Sequence, residues 1–334
     1  MTGKPNRMQE FEALRGLSIL LLLALHSEVF DASVFGFEVD PLAGVVASLL
    51  LGAFFFLAGF FAEYSRSKAG ETLFSFLWSK FIRIFPPYWL ALALFIVVLG
   101  FSLKRFDMLA YVLNLQWLLS PVFIKPLLTI WYISVLVGYY LIFGSLSFLV
   151  KSHLWFLLSA FGVFGVSYAA NAMAGLFEPR FFQYFFIFLA GIFFYRFEHV
   201  RDWLMKLGIF IKVVAAIVFL LIFWRVAGSG LASPNGLFIL TADLFILAWV
   251  WMLLSLFRLR IGSWRIWAFL STASFFTYLY HRPIWKVLEI VFGLEPGVQK
   301  IFVNLIPGSL VALLVGYILQ RGYDRLLSSL RLKP

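Results

Sequence analysis

Long apolar runs dominate this chain and leave it few folds. Residues 209–224 are apolar except for Lys212, and comparable stretches recur along the sequence. In lipid, a backbone with no water to bind must satisfy its own hydrogen bonds, and a long uniform run does so as a helix. Transmembrane β-barrels instead alternate apolar and polar residues in segments of about ten. That alternation is missing here, although aromatic residues reach 20%. The composition is 63% hydrophobic and 13% charged. A soluble domain has about 45–50% apolar and about 25% charged residues, so this chain lacks the polar side chains to cover a soluble surface. A soluble enzyme and a disordered chain are both excluded.

A spanning helix takes about 20 residues. Ten spans are read at 12–30, 42–64, 82–100, 128–149, 154–171, 181–196, 209–227, 236–257, 267–292 and 301–322. Segment 107–119 is short and reads as an interfacial helix. The expected fold is therefore all-α, a polytopic transmembrane helical bundle of about ten spans. It forms one membrane-embedded domain over 1–334, with no stretch left for a soluble domain. The first apolar run is too long for a cleavable signal peptide, carries Arg15 and lacks a small-residue cleavage site. There is no cysteine, so disulfides and thiol chemistry are absent.

The net charge is +11, which raises nucleic acid as a partner. Its placement argues against that. With the N-terminus inside, the inner loops and tails hold 18 of the 27 Lys and Arg residues. They run from Lys4 and Arg7 through Arg66, Arg196 and Lys212 to Arg331 and Lys333. Seven lie outside, among them Arg180, Arg282, Lys286 and Lys300. Excess Lys and Arg on cytoplasmic loops sets orientation, so both termini are expected inside and the charge forms a cytoplasmic collar.

Ionisable groups within spans cost at least about 2.5–3.5 kcal/mol on insertion scales and point to function. The first span carries Arg15 and His26, eleven residues apart. At about 100° per residue that is three turns and a small remainder, with a rise of about 16 Å. Both side chains fall on one stripe and point to a shared cavity, with Arg15 holding an anion and His26 doing proton or acyl chemistry. Two unrelated polar residues remain the plainer alternative. At the third span, Pro86 and Pro87 suit a helix's first turn. Arg83 then sits at the cytoplasmic edge, where with Lys80 and Arg15 it can bind phosphates or simply anchor the span. His281 lies in an apolar helix just before Pro283, as a substrate-contacting group or a packing residue. Asp243 and Arg225 are expected to form an ion pair. Trp131, Tyr132 and Ser134 open a polar face on the fourth span. The small residues of 154–171 suggest close helix packing. No phosphate-cradling Gly loop and no His or carboxylate cluster for a metal is present.

Taken together, these blocks resemble the acyltransferase 3 family of integral membrane acyltransferases. Ala13-Leu14-Arg15-Gly16 followed by His26 is similar to the family's Arg-x10-His. Phe54 to Phe60 resembles Phe-Phe-x-x-Ser-Gly-Phe, with Ala58 in the place of Ser. Arg83 to Trp89 resembles Arg-x-x-Pro-x-Tyr, and Ile130 to Ser134 and Phe188 to Gly191 resemble later blocks. Ser274 to Pro283 resembles Ser-Tyr-x-x-Tyr-Leu-x-His-x-Pro, with Phe275 in the place of Tyr. The matches keep their order from residue 13 to 283.

The resemblance implies transfer of an acyl group, often acetyl, from cytoplasmic acyl-coenzyme A to a hydroxyl of an envelope glycan or lipid-linked sugar. No cofactor or metal is expected to stay bound; acyl-CoA is a substrate. The setting implied is a bacterial cytoplasmic membrane, with membrane lipids as neighbours and no nucleic acid. His26 is expected as base or acyl acceptor, assisted by Arg15. Arg15, Lys80 and Arg83 are expected to hold the donor's anionic part. His281, Trp131 and Tyr132 are expected on the acceptor side. A transporter or flippase of lipid-linked saccharides is the rival from another class; inverted repeats and broken midplane helices would favour it, and neither is clear in the sequence.

Overall fold

The computed structural model describes residues 8–30, 40–68 and 71–330. Lys4, Arg7, Arg331 and Lys333, part of the expected collar, lie outside the described residues. Those described contain helices and no strand. The long helices are α1 (Gln9–His26), α2 (Asp40–Arg66) and α3 (Leu73–Val97), followed by the short α4 (Arg105–Val112) and α5 (Gln116–Leu119). Next come α6 (Trp131–Leu149), α7 (His153–Ala174), α8 (Pro179–Arg196), the short α9 (Glu198–Lys206), α10 (Ile209–Ala227) and α11 (Gly236–Phe257). The last are α12 (Arg265–Phe292), the single turn and a half of α13 (Val298–Val303) and α14 (Ser309–Ser329), the last two joined by a π-helical segment, Asn304–Gly308.

Seven segments among the described residues are long and apolar enough to cross a membrane: Leu42–Arg66, Leu73–Val97, Leu128–Leu149, His153–Ala174, Ile209–Ala227, Gly236–Phe257 and Val298–Ser329. The pair α8 and α9 qualifies only jointly and bends by 97°. The remaining two expected spans, α1 and α12, are not among these segments, and both carry charged residues. Glu10, Glu12 and Arg15 stand in one, and Arg265, Arg282, Lys286 and Glu289 in the other. These two helices pack on each other, and α1 also lies against α2 and α11. Helices on several sides thus enclose α1.

The third long helix starts earlier than the prolines suggested. Thr72 and Ser75 form a capping box, with Thr72 Oγ1 accepting from the Ser75 N–H at 3.1 Å and Ser75 Oγ from the Thr72 N–H at 2.9 Å. Pro86 and Pro87 therefore fall inside α3. An interior proline frees the carbonyl four residues back, and neighbouring helices can satisfy it. The hydroxyl of Tyr323 on α14 donates to the Ile82 carbonyl, the one Pro86 leaves free. Tyr280 on α12 donates to the Pro87 carbonyl at 2.9 Å. Arg83 consequently sits ten residues into α3, about 15 Å from the start of the helix.

The expected interfacial helix over 107–119 is divided into α4 and α5. Both are pinned to long helices. Tyr88 Oη donates to the Tyr111 carbonyl at 2.7 Å and Trp89 Nε1 to the Val112 carbonyl at 2.9 Å. Ser134 Oγ donates to the Asn114 carbonyl at 2.8 Å and accepts from the Trp117 N–H at 2.9 Å. Ser134 is thereby committed to structure.

Close backbone contact occurs between α2 and α8. A Cβ on Gly59 would stand 2.1 Å from the Phe188 carbonyl oxygen, and one on Gly191 the same 2.1 Å from that of Phe56. Only glycine allows this approach. The small residues of α7 do not do the same. Gly162 and Gly165 face open space, and α7 buries only Phe156, Ala160 and Ser167. Its contact with α8 runs instead through Phe164, whose ring packs on Phe182 and Phe185.

The expected Arg225–Asp243 ion pair does not form. Asp243 is buried and its Oδ1 has no hydrogen-bond partner. Phe223 of α10 faces α11, stacking on Phe245 at 5.5 Å. Arg225 follows by two residues, about 200° further round, and is exposed. Lys212, placed in the collar by sequence, is 1% exposed, donating to Ser255 Oγ at 2.6 Å and the Met205 carbonyl at 3.1 Å. Arg66 and Arg196 meet on one buried carboxylate, Glu63, at 2.5 and 2.9 Å. That joins the last turns of α2 and α8.

Candidate active site

The first cavity, of about 530 Å³, takes both predicted arginines into its wall. Arg15 comes from α1, where its guanidinium lies 5.3 Å from the Phe61 ring centre. Arg83 comes from α3, with Tyr132 and Tyr140 from α6. The start of α12 adds Ser271, Thr272 and Ser274, and α14 adds Gln320 and Asp324. Two guanidinium groups thus face one carboxylate, and Asp324 already accepts from Gln320 Nε2 at 3.2 Å. This wall suits an anion with several oxygens, because arginine presents a fixed fork of donors. Lys80 is not on the lining. Its ammonium lies 4.9 Å from the ring centre of Phe76 and 5.4 Å from that of Tyr140, the latter a wall residue.

The second cavity, of about 330 Å³, takes His26. The helix α1 ends there: Ser27 Oγ turns back to the Ala24 carbonyl at 2.8 Å, and Glu28 takes a left-handed φ of 68°. His26 is the last helical residue. Around it stand Ser48, Thr129, Trp131, Arg180, Gln183, Tyr184 and Tyr278. Arg180 lies flat over Trp131, 3.6 Å from the ring centre, and Glu178 holds its Nε at 2.5 Å. Glu178 also caps α8, with Pro179 in the first turn. Thr129 Oγ1 has no hydrogen-bond partner. The wall offers donors and acceptors on several sides and one cation, which is the chemistry of a polyhydroxylated ligand.

The cavity expected to be shared by Arg15 and His26 is thus divided in two. Tyr278 lines both parts. Its ring packs against Tyr132 at 5.2 Å, and its hydroxyl donates to the Thr129 carbonyl. Tyr278 is thus the wall residue common to both. Of the three residues expected on the acceptor side, Trp131 lines the His26 cavity and Tyr132 lines the Arg15 cavity.

His281 lines neither. It is fully buried behind His26, with its Nε2 2.9 Å from His26 Nδ1. The ring planes are parallel to within 4°, with ring centres 5.0 Å apart. The other nitrogen of His281, Nδ1, approaches two backbone carbonyls of its own helix, Thr277 at 3.1 Å and Tyr278 at 2.9 Å. His153 and His199 are exposed and line neither cavity.

Sequence reasoning missed Arg180, Tyr278, Gln183 and Tyr184. Arg180 was counted as outer-loop charge, although Glu178-Pro179 ahead of it is a helix-start signal. Tyr278 lies within the block Ser274 to Pro283, where the resemblance gives it no role of its own.

Residues 8–321 match the family model Acyl_transf_3, described as an acyltransferase domain. No curated protein and no solved structure matches the chain.

Proposed function

This chain belongs to the acyltransferase 3 family, and on that premise we propose that it is a membrane O-acyltransferase, taking the acyl group from cytoplasmic acyl-CoA and giving it to a hydroxyl of an envelope glycan or lipid-linked sugar. One observation carries the reading: a basic cavity and a histidine cavity lie on the same stripe of α1 and meet at Tyr278. The two site residues are about 16 Å apart along the helix. A donor bound by its phosphates at Arg15 and Arg83 must carry its reacting carbonyl three turns deeper to reach His26. Coenzyme A has that form, a polyanionic head on a long flexible arm.

At the far end, the sugar hydroxyl forms a C–O bond with the acyl carbon and the C–S bond breaks. The hydroxyl proton passes to His26 and on to the departing thiolate, leaving coenzyme A as its thiol. A neutral imidazole with one unprotonated nitrogen is suited to such a transfer. In the two-step variant, His26 takes the acyl group first and the hydroxyl then attacks the acyl-imidazole. Both routes need an unprotonated nitrogen on His26. The proposed topology is about ten spans with both termini inside a bacterial cytoplasmic membrane, so that the Arg15 cavity opens to the cytoplasm.

The test uses the purified protein in detergent with acetyl-CoA and an envelope glycan fraction. Free coenzyme A and an acyl mass increment on the glycan are expected together, and both are lost in His26→Ala. Full transfer by His26→Ala would overturn the assignment of His26. Movement of unmodified lipid-linked sugar across vesicles, with no mass increment, would replace the enzyme by a flippase.

A further inference from the structure

We infer that His281 is a positioning residue that fixes the tautomer of His26, leaving Nε2 of His26 as its unprotonated nitrogen. The inference rests on the proposed role of His26 in acyl transfer, and it gives His281 a task other than touching substrate.

Three nitrogens fix the tautomer, each setting the next. A carbonyl oxygen only accepts hydrogen bonds, so the His281 Nδ1 that faces Thr277 O and Tyr278 O carries a hydrogen. His281 is fully buried, and its hydrogen-bond partners are two carbonyls and an imidazole, with no carboxylate among them. A buried imidazolium without an acidic partner is costly, so the ring is neutral and its Nε2 is a bare acceptor. The 2.9 Å contact from that Nε2 to His26 Nδ1 then requires the hydrogen to sit on His26 Nδ1. A neutral His26 with hydrogen on Nδ1 has its lone pair on Nε2.

The ring centres are 5.0 Å apart and the two nitrogens 2.9 Å apart, so Nε2 of His281 and Nδ1 of His26 lie between the rings and face each other. The arrangement does with a neutral imidazole what a carboxylate does for the histidine of a serine-protease triad, where the orienting group holds the tautomer. When His26 takes a proton on Nε2, its Nδ1–H becomes a stronger, charge-assisted donor to His281. No charge needs to be buried before the reaction begins. Trp285 packs edge-on against His281 at 5.1 Å and keeps the ring in place.

The chain has only four histidines, so ¹⁵N-histidine NMR of the full-length protein in detergent micelles can read each tautomer, with His26 assigned by its loss in His26→Asn. In the wild-type protein His26 is expected to be protonated on Nδ1. His281→Gln can place a carbonyl oxygen where Nε2 stood and should keep that tautomer. His281→Leu and His281→Asn offer no acceptor there and should shift His26 to the Nε2–H form. In acetyl-transfer assays kcat should fall by about 10²–10⁴ in the Leu and Asn variants, with the KM for acetyl-CoA unchanged. His281→Gln should recover to within about tenfold of wild type. An Nε2–H tautomer in wild type, or an Nδ1–H tautomer that survives in His281→Leu, would overturn the inference. The tautomer is read without substrate. A wild-type protein that transfers no acyl group would therefore count against the reaction and leave the pairing to stand or fall by NMR.

Discussion

The guanidinium of Arg180 lies 3.6 Å above the indole of Trp131, held there by the Glu178 carboxylate. The stack closes one side of the cavity that holds His26. A planar cation on an aromatic face is worth roughly 0.5–2 kcal/mol, more when water is excluded. Lysine keeps the charge but cannot lie flat or fork. Arg180→Lys should therefore raise the KM for the glycan acceptor by roughly five- to thirtyfold, from about 1–2 kcal/mol. The KM for acetyl-CoA should stay within twofold. Steady-state kinetics with each substrate varied in turn checks this, and an equal effect on both would remove Arg180 from the acceptor side.

Arg15 and Arg83 face the other cavity. If they bind the donor's phosphates, their removal should matter only when phosphates are present. Arg15→Ala or Arg83→Ala should raise the KM for acetyl-CoA about 10- to 100-fold, from charged hydrogen bonds of about 1.5–3 kcal/mol. A short acetyl thioester without phosphates should show no such change. Loss of both substrates alike would mean that the arginines act on structure or on the reacting carbonyl.

How much of this could be read before the structure differs by residue. The helical fold was legible because each apolar run is local and long. So was the stripe of Arg15 and His26, since both lie on one helix and the spacing alone aligns them. The partner of His26 was not legible. His281 is 255 residues away, and no local rule connects two histidines at that distance. Pro86 and Pro87 misled for the same reason. A first-turn proline is a local preference, whereas the Tyr323 hydroxyl that lets Pro86 sit inside α3 lies 241 residues beyond the Ile82 carbonyl it satisfies. Asp243 and Arg225 looked paired at equal depth, but depth does not say which way a helix face turns.

The glycines of α2 and α8 give a stability test with an internal control. Gly59→Ala and Gly191→Ala each put a Cβ 2.1 Å from a backbone carbonyl oxygen, where nothing flexible can yield. Overpacking of this kind costs about 1–3 kcal/mol or more. Gly162→Ala and Gly165→Ala on α7 meet open space, and there alanine should gain up to about 1 kcal/mol from helix propensity. Thermal unfolding in detergent should lower the midpoint of the first pair and keep or raise that of the second. Equal behaviour of all four would show that α2 and α8 do not meet at backbone contact.

Tyr323 and Pro86 provide the last test, because their effects should not add. Tyr323→Phe removes the hydroxyl that satisfies the Ile82 carbonyl, and a buried acceptor left bare costs about 1–3 kcal/mol. In Pro86→Ala the new backbone N–H can take over that carbonyl, as in an ordinary helix. The hydroxyl is then redundant, and Tyr323→Phe in the Pro86→Ala background should cost much less than in wild type. A double-mutant cycle on unfolding midpoints measures the difference, which should be about 1 kcal/mol or more for residues sharing one acceptor. Simple additivity would mean that Tyr323 contributes only its ring, which packs at 5.8 Å on Phe276, and that α3 tolerates its prolines by some other means.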